Sequence, residues 1–204
     1  MKQSARWQLV KFLLTGLSLI IIPVYTYNYG VQNFLWLSDI GLFVTVVALW
    51  QQSVLLMSMA AVGVLAVELI WNIDFFVDLL VGINLIDLSD YMFDASYSLL
   101  LRGLSLFHVI MPIVWVLYIA QYGYDRRAFW YATIAYWVIL LLTYTLTDSA
   151  ENINWVFIPQ AYGLAIAPIA WVAFLFVSFP AFIFLPTHFL FTKCFKTWTK
   201  YQDS

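Results

Sequence analysis

FLWLSDIGLFVTVVALWQQSVLLMSMAAVGVLAVELIW, residues 34–71, decides how many times the chain crosses its apolar layer. As one helix it would rise nearly twice the thickness of a hydrocarbon core, at ~1.5 Å per residue. The only polar cluster inside it is Gln51–Gln52–Ser53. Splitting there gives one helix over 34–50, entering with Asp39, and another over 54–71, leaving with Glu68.

Outward from this stretch, the chain reads as all-α, a polytopic membrane protein of six transmembrane helices. The remaining crossings are 12–27, 99–120, 128–147 and 164–185. Of 204 residues, 64% are hydrophobic and 10% charged, and the mean hydropathy is +0.89. A soluble surface needs far more charge, so lipid is the expected solvent for most of the exterior. The exit from the first crossing, PVYTYNYG, holds no small-residue cleavage site, so that segment is expected to be retained. Pro112 is expected to kink the fourth helix, and Pro168 and Pro180 to break or tilt the sixth. Residues 72–98 hold Asp74, Asp78, Asp87, Asp90 and Asp94 and no basic residue. With apolar residues interleaved, they predict one or two short amphipathic helices on an outer surface.

Charge supports the split. With six crossings and the N-terminus inside, the inner segments hold Lys2, Arg6, Lys11, Arg126, Arg127, Lys193, Lys196 and Lys200, eight of the nine basic residues. Merging the second and third helices would place Arg126 and Arg127 outside. The expected location is the inner membrane, with both termini cytoplasmic and the Lys193–Lys200 run against anionic lipids.

The ninth basic residue, Arg102, lies in LLLRGLSLFHVIMPIVWVLYIA (99–120) with Ser105 and His108, three residues apart on one helical face. Ionisable groups inside apolar segments are costly and point to a polar site. By depth, Asp39, Glu68 and Arg102 lie about one turn in from the outer end, and His108 lies deeper. Asn72 shares the face of Glu68. The expectation is a cavity open to the outer side, with His108 as general base, Asp39 or Glu68 as its orienter, and Arg102 paired to one of those acids. Arg102 is also the candidate for holding a substrate carboxylate or phosphate. Ser105, Ser38 or water is the nucleophile, with Asn152 and Asn154 as amide donors to an oxyanion. No metal site or cofactor is expected: two histidines and one cysteine, Cys194, offer no ligand set. His188 and Cys194 read as structural.

Four segments carry a resemblance: FLWLSDIGLF (34–43), LFHVIMP (106–112), GYDRRA (123–128) and NWVFIP (154–159). Together they resemble an uncharacterised bacterial group of six-span membrane-associated proteins. More distantly they are similar to the androgen-induced integral-membrane hydrolases, which cleave fatty-acid esters of hydroxy fatty acids. The resemblance implies six helices, a threonine nucleophile early in the second, a histidine in the fourth before a V-L-P-like step, and a W-V-Y-P-like step before the last. His108 before Met111–Pro112 falls within about one residue of that histidine, and Trp155–Val156–Phe157 with Pro159 echoes the later step. The threonine has no counterpart: its position is Trp36, and Ser38 would face another way.

The leading expectation is therefore an intramembrane lipid-active hydrolase or acyl transferase. The alternatives are a small transporter or proton-coupled carrier, and a non-catalytic subunit or lipid-binding scaffold. Membrane lipids are the expected partners, with a protein partner possible at the acidic loop and no nucleic acid.

Overall fold

In a computed structural model, residues 4–161 and 163–198 are described. Lys2 and Lys200 lie outside them. The described residues form helices and loops with no strand. The helices are α1 (Ala5–Tyr29), α2 (Leu37–Gln51), α3 (Val54–Val81), α4 (Leu99–Leu104), α5 (Phe107–Tyr122), α6 (Ala128–Leu146), α7 (Ile158–Ala161), α8 (Pro168–Phe179) and α9 (Leu185–Cys194). Five helical stretches are long and apolar enough to cross a membrane: α1, α3, α4 with α5, α6, and α8 through α9. The sixth expected crossing, α2, is apolar but has only 15 residues. A 3₁₀ segment, Val31–Leu35, takes up the residues before it.

α3 is the central rod and packs on α2, α5 and α6. Its start follows from local chemistry. Gln52 takes the left-handed conformation that ends α2, and the Ser53 side chain accepts from Leu56 N–H at 3.2 Å. α2 lies close because Gly41 has no Cβ: one built there would sit 3.3 Å from both Trp115 and Val64. Trp115 then donates its indole N–H to Thr45 Oγ1 at 2.7 Å. By contrast α1, α6 and α8 turn apolar side chains outward, among them Leu19, Ile134, Ile169 and Val177.

Several expectations need correction. α3 does not end at Trp71 but runs ten residues further, so Asp74 and Asp78 are helical. The predicted surface helices are absent among the described residues of 82–98, which hold one 3₁₀ turn, Asp90–Met92. The loop is organised instead by Asp74. Its Oδ1 accepts from Leu85 N–H and Ile86 N–H, both at 3.1 Å. Its Oδ2 accepts from Leu88 N–H, Ser89 N–H and the Ser89 hydroxyl at 2.8–3.0 Å. A carboxylate holding that many donors is well compensated despite its burial. The fourth crossing is interrupted at Ser105–Leu106, between α4 and α5, rather than at Pro112.

Prolines inside helices free a carbonyl one turn back, and here side chains meet those carbonyls. Pro112 withholds an N–H from the His108 carbonyl, which accepts Asn72 Nδ2–H at 2.9 Å. Pro180 begins a π-helical turn through Phe184, and the freed Phe176 carbonyl accepts Trp137 Nε1–H at 2.9 Å.

The two ends of the bundle differ in sign. Arg6, Lys11, Arg126, Arg127, Lys193 and Lys196 gather at the end where α1 starts and α9 finishes. That end is closed by backbone pairing of the 123–127 turn to the C-terminal segment, with Tyr124 N–H on Lys196 O at 2.8 Å and Trp198 N–H on Tyr124 O at 2.9 Å. Arg127 pairs with Asp125 at 2.7 Å, which raises its affinity for its proton. Tyr124 and His188 Nδ1 share a hydrogen bond at 2.7 Å. The opposite end carries the aspartate loop and opens into a cavity.

Candidate functional site

At the acidic end the helices diverge around a cavity of about 490 Å³. α2 brings Ser38 and Asp39, α3 brings Glu68 and Trp71, and the α4–α5 junction brings Ser105, Phe107 and His108. α1 contributes Tyr25 and Tyr29, while the loops add Tyr91, Tyr97, Glu151, Asn154 and Trp155.

His108 is the best-defined member. Its Nδ1 lies 2.7 Å from Glu68 Oε2, and the two side chains are 13% and 1% exposed. The imidazole is sandwiched between Trp71, 4.6 Å away at 19°, and Phe107, 4.2 Å away at 23°. Stacking fixes the ring plane, the carboxylate fixes which nitrogen faces it, and the Asn72 bond to the His108 carbonyl fixes the backbone. Nε2 has no hydrogen-bond partner among the described residues.

Asp39 is 3% exposed and lies within electrostatic reach of His108 and Glu68. Its Oδ2 accepts Asn33 Nδ2–H at 3.2 Å, while Oδ1 has no hydrogen-bond partner among the described residues. Glu68 Oε1 is likewise unpartnered. The start of α2 has no cap of its own. Asn154 supplies one from 117 residues away, accepting Leu37 N–H at 3.0 Å and donating to Leu35 O at 2.7 Å. That clamp sets the depth of Asp39, two residues into α2.

The other expected roles divide. Ser105 lines the cavity, but its hydroxyl bonds Tyr25 at 3.0 Å and donates to Leu101 O at 3.2 Å, not to His108. The expected pairing of Arg102 with Asp39 or Glu68 is not formed. Arg102 donates to the Met92 carbonyl at 3.1 Å, its nearest acidic influence is on Asp94, and it is not among the side chains lining the cavity. The interruption at Ser105–Leu106 breaks the continuous face that the three-residue spacing assumed. Asn72 ties α3 to α5 through the Glu68 and His108 carbonyls rather than facing the cavity. Asn152 sits at φ 44° and accepts Phe157 N–H at 2.9 Å, so it shapes its turn. Asn154 lines the cavity, but its amide protons go to Leu35 O and to Thr143 Oγ1 at 3.3 Å. Neither asparagine is an amide donor to substrate in this arrangement.

The aromatic wall was not singled out from sequence. Tyr25, Trp71 and Tyr91 carry no motif, Phe107 is only a neighbour of His108 in LFHVIMP, and only their position beside ionisable residues marks them. Burial raises the Tyr91 hydroxyl above its ordinary range, so it stays protonated and able to donate, within reach of Ser105 and Trp71. Among the described residues no three His, Cys, Asp or Glu side chains come together as a metal site. No family model, curated protein or solved structure matches this chain.

Proposed function

We propose that the protein is a membrane-embedded hydrolase acting on lipid esters, with the Glu68–His108 pair as its general base. The single observation that carries this is the 2.7 Å Nδ1–carboxylate contact with Nε2 unclaimed beside the cavity. Glu68 stabilises the imidazolium that forms when Nε2 takes a proton. With Ser105 engaged by Tyr25, the nucleophile is water: its oxygen attacks the ester carbonyl and its proton passes to His108, then to the leaving alkoxide. The Tyr91 hydroxyl is the donor best suited to the developing oxyanion.

Residence in the cell membrane is part of the same proposal, supported by the outward apolar faces of α1, α6 and α8 and by six of the basic residues lying at one end. In this reading α2 is the sixth crossing, both termini are cytoplasmic and the cavity opens on the other side. The resemblance to the ester-cleaving integral-membrane family belongs to the same proposal. His108 falls beside that family's histidine, and Trp36, where the family has threonine, lines the cavity.

The test is fatty-acid release from a panel of lipid esters by protein purified in detergent. His108→Ala and Glu68→Gln are expected to lower turnover by about two orders of magnitude or more while the protein still melts cooperatively. Undiminished hydrolysis by His108→Ala refutes the base assignment.

A second reading, a proton-coupled carrier, is favoured by Asp39, a buried carboxylate with an unpartnered oxygen beside the pair. Substrate flux in proteoliposomes, lost in Glu68→Gln and unaccompanied by ester cleavage, decides for it.

A further inference from the structure

The cavity is lined by five carboxylates, Asp39, Glu68, Asp87, Asp90 and Glu151, and by no lysine or arginine among the described residues. Arg102, the one lysine or arginine of this end among the described residues, is turned away to the Met92 carbonyl. The two innermost acids are nearly inaccessible, at 3% for Asp39 and 1% for Glu68, and each keeps an oxygen with no partner. Buried carboxylates are costly without a positive partner, and the fold supplies only His108. The surrounding wall is aromatic: Tyr29, Tyr91 and Tyr97 on one side, with Tyr29–Tyr97 centroids 6.5 Å and Tyr91–Tyr97 centroids 6.1 Å apart. Trp36 and Trp155, 5.9 Å apart and nearly perpendicular, line the cavity with the partly exposed Glu151, which accepts a hydrogen bond from Gln32. The face of an aromatic ring attracts a soft cation of low charge density, and a phenol oxygen can turn its lone pairs to one.

We infer that the cavity binds an organic monocation, a protonated amine or quaternary ammonium group. The donor set does not suit a metal ion, since no three acidic or His/Cys side chains of the described residues converge as ligands. An anionic headgroup would meet five carboxyl groups and no lysine or arginine among the described residues. The inference deepens the hydrolytic reading and rests on its cavity: the substrate's cationic end sits towards Asp39 and the more exposed carboxylates, leaving its ester beside His108.

The test is calorimetric titration in uncharged maltoside micelles with choline as probe and 3,3-dimethyl-1-butanol as its neutral isostere. Choline is expected to bind at least about ten-fold more tightly than the isostere. Asp39→Asn is expected to weaken choline about ten-fold, and Glu151→Gln, at the partly exposed carboxylate, to weaken it in the same direction. The second variant carries the test should the first fail to fold. Equal binding of probe and isostere, unchanged choline affinity in folded carboxylate variants, or binding of calcium but not choline overturns the inference. His108→Ala separates the two proposals, because choline binding persists in it while hydrolysis is lost. Hydrolysis of neutral esters without choline binding leaves the base and removes the cation site; the reverse result removes the base alone.

Discussion

Replacing Asn72 with leucine removes one hydrogen bond that matters and one that does not. The Glu68 carbonyl, bonded by Asn72 Nδ2 at 2.7 Å, still has its helical partner one turn on. The His108 carbonyl does not, because the residue that would serve it is Pro112. Leucine keeps the branched shape of the side chain but offers no donor, so the carbonyl is stranded at a cost of about 1–3 kcal/mol. In a Pro112→Ala background a backbone N–H returns, and Asn72→Leu is expected to cost less than about 1 kcal/mol. The two substitutions therefore couple by about 1–2 kcal/mol, well above the ~0.5 kcal/mol scatter of independent sites. Unfolding of the four proteins by heat or denaturant in one detergent measures the cycle. Additive losses would refute the claim that Asn72 satisfies a proline-orphaned carbonyl beneath the His108 imidazole.

Two further outcomes test the ends of the bundle. Asp74→Ala strands up to five donors. It is expected to cost about 3 kcal/mol or more and to speed amide exchange across 83–98 while the helices stay protected; unchanged exchange in that loop contradicts its role. Gly123→Ala puts a Cβ 2.9 Å from the Lys196 carbonyl at φ +93°. It is expected to cost about 1–3 kcal/mol and to expose the C-terminal segment to protease; an unaltered cleavage pattern would count against the pairing.

The convergence of Asp39, Glu68 and His108 was legible because ionisable groups in apolar segments are scarce and their depths can be counted from the helix ends. The break at Gln51–Gln52–Ser53 was legible for a similar reason: three polar residues interrupt an apolar run, and serine is a ready cap. Arg102 was misplaced because helical spacing defines a common face only while the helix is continuous, and nothing in GLSLF announces that it stops at Ser105. Residues 72–81 read as part of an amphipathic surface segment because Asp74 and Asp78 alternate with apolar residues there. Their helical state depends on five donors from a loop that only the folded chain brings to Asp74. Asn154 could not be read at all, since its task is to cap a helix 117 residues earlier.

The brevity of α2 has a consequence for the surrounding lipid. Fifteen residues rise about 22 Å, against about 30 Å for an ordinary hydrocarbon slab. The proposed embedding leaves a shortfall on the side where Asp39 begins the helix, which the bilayer meets by dimpling inward. Headgroups and solvent would then descend to the level of the imidazole, so a lipid need not be lifted out of its leaflet to be cut. Under the proposed hydrolytic reading the fold would bring the interface down to the substrate's reactive bond, and turnover would depend on the thickness of the membrane that holds it.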